Sequence, residues 1–502
     1  MPARRRFLAL ALLMLLALGL RLAAVAVLVG RHDGSAASYE HGEIAENLLA
    51  GRGFTVTFLG TTGPTSQQAP FYPALLAASG WCFGSDPSRW ALAVACLQAV
   101  AGTGVVLCVA WLAWSLLPQW PTVGWIAGVL AAIHPVHVYM VTQLQVAVWA
   151  AGLLTFLLAW VASPRGRHAW SKAIVLGLVA GWLLLVEPIL SLALPVVAVM
   201  FWRRDRDMVV ADGWLNGGWA LAGRVGRLAV MATVAVMAIA PWLYRNHQVH
   251  GEPVFIKSTF GYAFWQGNNT ASWGTDKIPK SSVEPLRLAH NGSLVDRHRA
   301  LWEARRETLY IDDVLLKPTG YREFAGLSEP ARSRLLGKQA WNFIHRQPMA
   351  YARLCLRRLR YFLLFDETNP KAADPLYRIT TVSWLVLSFI GLLVLAPRWR
   401  TIWPTVAIFG MVMAFHTLTI TSARFRIPLE PLSLVWAAAA LAPLVDHRPR
   451  LRRRASSDQE ATAAPKGIRI DEAHLPQGRH RPSQQMAELA GRLTSPGNTR
   501  HR

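Results

Sequence analysis

Residues 4–29, RRRFLALALLMLLALGLRLAAVAVLV, are followed from Tyr39 by YEHGEIAENLLAGRGF (39–54) and, after a short linker, by GPTSQQAPFYP (63–73). The first run is basic and then apolar for long enough to cross a hydrocarbon core of about 30 Å. Its start fits the charged and hydrophobic regions of a signal peptide. The apolar stretch continues past Arg21 to Val29, however, and no clear small-x-small cleavage site follows, so it reads as a retained signal-anchor helix. The second stretch is polar, glycine-rich and richer in carboxylates than its surroundings. A helix over 39–49 places Glu40, Glu43 and Asn47 on one face, beside an apolar stripe of Ile44, Ala45, Leu48 and Leu49. Gly51 and Gly53 then stop it. The expectation is an amphipathic helix on a membrane surface, presenting two acids to one side.

Working outward, the chain of 502 residues is 53% hydrophobic with 22 Trp, and apolar runs of roughly 18 to 25 residues recur along it. A soluble domain has no use for so many, so the fold class is an all-α polytopic membrane protein. The formal net charge of +23 sits between the apolar runs, at Arg4 to Arg6, Arg165 to Lys172, Arg203 to Arg206, Arg398 and Arg400, and Arg448 to Arg454. This is the positive-inside pattern, with contacts to anionic membrane lipids. No folded basic region with interleaved aromatics suggests a nucleic-acid partner. The four cysteines, Cys82, Cys96, Cys108 and Cys355, lack metal-ligand spacing. Cys82 and Cys355 both fall outside the membrane in this topology, which leaves a disulfide between them open.

Following the charge rule, about ten transmembrane helices are expected, near 7–29, 90–116, 122–140, 145–162, 228–244, 379–396, 404–421 and 428–445. The two others come from the run 173–202, divided at Glu187-Pro188. Both termini are then cytoplasmic, residues 1–445 form the membrane domain, and 446–502 is a disordered basic tail. The first outside loop is 30–88 and the large one 246–376. The large loop begins with loop or short-strand character around Gly261, Gly267, Asn268 and Trp273. It turns helical from Leu327, with a start at Ser328-Glu329-Pro330. Arg353, Arg357, Arg358 and Arg360 lie on its last helical run, against phospholipid headgroups. No internal repeat supports an inverted-repeat transporter.

Polar residues converging on the outside face are the candidate site. They are Glu40 and Glu43; Gln67 and Tyr72; His134, His137, Tyr139 and Gln143 in HPVHVYMVTQLQ (134–145); Arg245; Asn268; and Arg424 with Arg426. Glu187, in an apolar run, is costly to bury and joins them. Carboxylates and arginines at one membrane face suit sugar transfer from a lipid phosphate. Arginine stabilises the anionic leaving group and a carboxylate takes the acceptor's proton. His134 and His137 do not match a recognised metal motif, so no metal ligand is assigned; no cofactor is fixed by the sequence, and room remains for a divalent metal.

YEHGEIAENLLAGRGF followed by GPTSQQAPFYP resembles the first loop of bacterial glycosyltransferase family 39-like proteins. These belong to the GT-C superfamily with the protein O-mannosyltransferases and lipid A aminoarabinose transferases. HPVHVYMVTQLQ, PWLYRNHQVHGEPVFI (241–256), GYAFWQGNN (261–269) and ARFRIPLEP (423–431) continue the resemblance in order, over about 20–445. It implies a GT-C-like bundle with amphipathic outside-face helices and a mixed outside loop region. It also implies inverting transfer from a polyprenyl-phosphate-sugar donor to an envelope acceptor (lipid, glycan or protein) at the outer face of a bacterial inner membrane. The implied base is a carboxylate of the first outside loop. Most relatives carry Asp-Glu there, where this chain has Ala37 and Ser38. Glu40 stands in as the base, Glu43 positions or serves as a second acid, and Arg424 with Arg426 clamps the phosphate. Two other readings stay open: a transporter or flippase for a lipid-linked substrate, and a non-catalytic envelope assembly protein of the same fold.

Overall fold

The computed structural model describes residues 3–29, 40–84, 86–164, 169–211, 217–279 and 291–446. Tyr39, residues 165–168 of one basic loop and the tail from His447 lie outside them. Each of the ten expected membrane segments is helical: α1 (Ala3–Leu28), α4 (Pro87–Leu116), α5 (Pro121–Ile133), α7 (Ala147–Ala162), α8 (Ala169–Val186), α9 (Leu194–Ala211), α10 (Gly217–His250), α16 (Pro375–Leu395), α17 (Trp399–Leu418) and α18 (Glu430–Val445). By length and composition five runs among the described residues can cross a membrane, and shorter apolar helices accompany them. The protein is a multi-pass α-helical membrane protein. The division at Glu187-Pro188 holds, with α8 ending at Val186 and a 3-10 turn over Pro188–Ala193 leading into α9. The helix expected over 122–140 instead breaks at His134. Pro135 has no amide hydrogen and drives the residue before it into extended geometry (φ −61°, ψ 114°). A separate short α6 (Pro135–Met140) follows.

Small residues set the helix spacing. Gly391 of α16 lies so close to α18 that a Cβ there would come within 1.8 Å of the Trp436 carbonyl oxygen. Gly177 and Gly181, one turn apart on α8, press likewise on Met231, Ala235 and Ala238 of α10. Gly391→Ala should therefore destabilise by about 1–3 kcal/mol through forced helix separation. Thermal unfolding in detergent checks this; an unchanged midpoint would contradict the close approach. Arg21, buried in α1, spends its guanidinium on the orphan carbonyls at the end of α5, donating to Ala131 (3.0 Å) and Ala132 (3.2 Å) and back to Ala17 (3.0 Å).

The segments expected outside fold together as a second layer. It comprises α2 (Glu40–Leu49), the hairpin β1 (Thr55–Phe58) and β2 (Thr61–Pro64), α3 (Phe71–Phe83), α11 (Phe260–Gly267), β3 (Lys277–Ile278), α12 (Leu294–Arg306), β4 (Leu309–Tyr310), α13 (Ile311–Leu315), α14 (Glu329–Arg346) and α15 (Pro348–Leu363). Ile44, Val56, Phe58, Phe264, Trp265, Ile311, Phe324 and Leu336 form its shared apolar core. The first loop and the large loop are thus one unit. The hairpin turns at Leu59 (φ 48°) and Gly60 (φ 77°), both left-handed, as a tight two-residue turn requires. Two expectations are corrected here. The region from Gly261 is the helix α11, because its apolar residues fit the second core at helical spacing. Arg358 is not at headgroups: it is buried and donates to Gly267, Asn268 and Thr417. Cys82 and Cys355 are both free thiols, so the disulfide does not form.

Candidate active site

Glu40 opens α2, with no residue of the described chain capping it, and lines a cavity of about 2240 Å³ between the two layers. That exceeds the usual small-molecule pocket of about 300–1,000 Å³. Glu43, one turn on, also reaches the cavity but accepts a hydrogen bond from the Thr57 amide (2.7 Å), tying α2 to β1. Asn47 has turned inward, donating to the Thr55 carbonyl and accepting from Arg52, so the expected three-residue polar face is divided. Next to Glu40, His41 is half-buried with its ring edge to face against Tyr72. Burial, then Lys257 and Arg424, push its imidazole down to about 3, so it is neutral. Arg424, from the far end of the chain, therefore acts on the opening helix.

Gln67, Tyr139, Glu187, Arg424 and Arg426 also line this cavity. Gln67 is buried with its side-chain oxygen unpartnered, on a loop that Glu329 fixes by accepting from Thr65 (2.6 Å) and Ser66 (2.8 Å). Arg424 is exposed to the cavity and lies over Phe425. Arg426, two residues on, is buried. Its Nε donates to Glu430 (2.9 Å) and its Nη1 to the Phe362 and Leu363 carbonyls (2.9 and 2.8 Å), capping the end of α15. A phosphate clamp needs free donors, and Arg424 suits it better than Arg426, whose Nε and Nη1 are already engaged. Four other expected residues are committed to the scaffold. Tyr72 donates to Gln98 (2.9 Å), Gln143 accepts from Arg305 (3.0 Å), Arg245 holds the Phe54 and Thr65 carbonyls, and Asn268 bonds Phe264, Thr419 and Arg358. None of these four lines the cavity. His134 and His137 sit behind its wall, beside Glu430.

The large loop supplies residues that sequence reasoning missed. Pairing of β3 with β4 sets Asp276 and Lys277 beside Tyr310 and Ile311. Lys277 and Asp276 form an ion pair at 2.8 Å. Although burial disfavours its charge, Lys277 and Arg424 hold the Asp276 carboxyl below its usual range. Asp312 accepts from the Tyr262 hydroxyl and from Gln266 (3.2 Å), and burial pushes it up to about 6. Tyr262 in turn feels Glu40, so both carboxylates address one corner of the cavity. Lys371 lies over the Tyr139 ring (4.8 Å). Burial, then Arg305, Lys277 and Arg424, depress its ammonium well below the usual lysine range. The only signals in sequence were Asp276-Lys277 and Asp312-Asp313, each within three residues of an aromatic, Trp273 and Tyr310.

Burial and the neighbouring cations should accordingly make the Lys371 amine less basic and more reactive toward an acylating reagent. Mass spectrometry after brief acylation should find Lys371 modified faster than Lys317, and a slower Lys371 would contradict its environment. An anion placed among these cations raises the Lys371 pKa, so phosphate binding should take up a proton and strengthen as pH falls.

No family model matches the sequence, nor does any curated protein. Among solved structures, the apo Archaeoglobus fulgidus oligosaccharyltransferase aligns at 16% identity and TM-score 0.50, over 93% of this chain and 53% of its own. AglB from the same archaeon, in complex with an inhibitory peptide and a dolichol-phosphate, aligns at 17% identity and TM-score 0.48, over 92% and 52%. ArnT from Cupriavidus metallidurans, bound to undecaprenyl phosphate, aligns at 16% identity and TM-score 0.37, over 91% and 80%. The chain spans about half the length of the oligosaccharyltransferases it matches. What the first of these likenesses establishes is the fold alone, that of a polytopic helical membrane protein.

Proposed function

We propose that this chain is a glycosyltransferase that moves a sugar from a polyprenyl-phosphate-linked donor to an envelope acceptor, on the extracytoplasmic face of a bacterial inner membrane. The observation that carries this reading is the meeting, in one large cavity between membrane and loop layers, of Glu40 with Arg424 and with the Lys371 amine, which an incoming phosphate would protonate. The acceptor oxygen or nitrogen attacks the anomeric carbon from the face opposite the phosphate. The bond from that carbon to the phosphate oxygen breaks and its electron pair passes to the leaving phosphate. Arg424, with Lys371 and Arg305 behind it, meets the charge that develops there. Glu40 takes the proton that the nucleophile loses. Attack opposite the leaving group inverts the anomeric configuration. Asp312, held by Tyr262 and Gln266, is a second proton acceptor in the same corner. Purified protein in nanodiscs, offered a panel of polyprenyl-phosphate sugars with envelope lipid extract, tests the proposal. Release of polyprenyl phosphate dependent on the extract supports it, and no release from any donor counts against it.

A further inference from the structure

We propose that His134, His137 and Glu430 form a binding site for one divalent transition metal of the zinc type. The three residues are buried, and their ligating atoms lie within 4.8 Å of one another. The site is independent of the transfer chemistry proposed above.

Local structure explains the convergence. Pro135 ends α5 at Ile133, so His134 caps it and His137 falls on the first turn of α6. Three residues apart, the two rings meet edge to face with centroids 4.9 Å apart. Glu430 enters from the opposite side as the first residue of α18. Its Oε2 lies 3.0 Å from His137 Nε2, and its Oε1 is held by Arg426 Nε at 2.9 Å.

The hydrogen bond between His137 and Glu430 accounts for His137 but not for His134. His134 is only 8% exposed, and neither of its ring nitrogens has a hydrogen-bond partner. Leaving a buried polar group unsatisfied costs about 1–3 kcal/mol, and a metal bond to one nitrogen removes part of that penalty. Tetrahedral zinc with bonds of about 2.0–2.2 Å needs its ligands about 3.4 Å apart, so small side-chain rotations close the site. The donors are two imidazoles and one carboxylate, a zinc set rather than the all-oxygen set calcium or magnesium prefers. Arg426 serves as the outer partner that orients the carboxylate ligand. Two guanidinium groups stand close by, Arg426 on Glu430 and Arg21 on the carbonyls at the end of α5. They disfavour a hard cation held by charge alone and leave the imidazoles to decide the metal. Glu430 also belongs to the cavity wall, which gives the ion an entry path.

The test uses the full chain purified on a tag without histidine, stripped with chelator and titrated with Zn²⁺ or Co²⁺. The expected result is about one equivalent bound, with a Co²⁺ absorption spectrum of nitrogen and oxygen ligation. His134→Ala is the informative variant, because His134 makes no hydrogen bond whose loss would perturb folding. It should weaken binding by more than about 100-fold, since even outer partners of metal ligands are worth about 10–100-fold. His137→Gln should do the same, and provides the comparison if His134→Ala is poorly produced. Absence of binding, equal binding by the variants, or a Co²⁺ spectrum showing thiolate ligation from the free cysteines would each overturn the proposal.

Discussion

Glu40→Gln is expected to slow sugar transfer by about 10²–10⁴-fold, the range a positioned proton acceptor supplies, while polyprenyl phosphate still binds. The substitution keeps size and removes only basicity, and among the described residues Glu40 makes no hydrogen bond whose loss would unfold α2. Arg424→Ala should lose about 10²–10³-fold, as removal of one charge-stabilising donor does, and should weaken phosphate binding as well. The two variants therefore separate: one loses rate alone, the other loses rate and affinity. If Glu40→Gln transfers normally, Asp312 becomes the base. In that case the rate should fall as pH drops through about 6, where burial has placed the Asp312 carboxyl, because only its ionised form accepts a proton. Asp312→Asn would abolish that acid limb.

Arg426→Met should cost about 3–5 kcal/mol, the effect of breaking a buried ion pair by removing one partner. Arg426 and Glu430 are each about 1% exposed, so the variant strands a carboxylate and also uncaps the last carbonyls of α15. Arg426→Met with Glu430→Gln should recover part of the loss, since the stranded charge goes but the carbonyls stay open. The double variant measured by thermal unfolding gives the coupling. Additive losses would show that the pair does not act as a unit.

The fold was legible because lipid imposes simple demands. Apolar runs had to reach spanning length, arginines marked the turns between them, and Glu187-Pro188 marked a break that the backbone obeys. The candidate site was legible only in part. Glu40 stood out as a carboxylate of the first outside loop and Arg424 as an arginine on the outside face, against the positive-inside bias, and both line the cavity. Arg426, Arg245 and Asn268 carried the same polar signal, yet each engages donors on backbone carbonyls, and Arg426 also pairs with Glu430. Sequence pattern does not distinguish a guanidinium that caps a helix from one that waits for an anion. Asp276, Lys277, Asp312 and Lys371 were missed for the opposite reason. Their meeting depends on two two-residue strands some 30 residues apart, too short to leave any periodicity.

The most direct measurement is a structure of the protein in nanodiscs with polyprenyl phosphate bound. The account predicts the phosphate beside Arg424 and Lys371, with the lipid tail leaving the cavity toward the membrane helices and Glu40 facing the vacant sugar position. A phosphate seated outside the cavity, on Arg353 and Arg357 of α15, would contradict it.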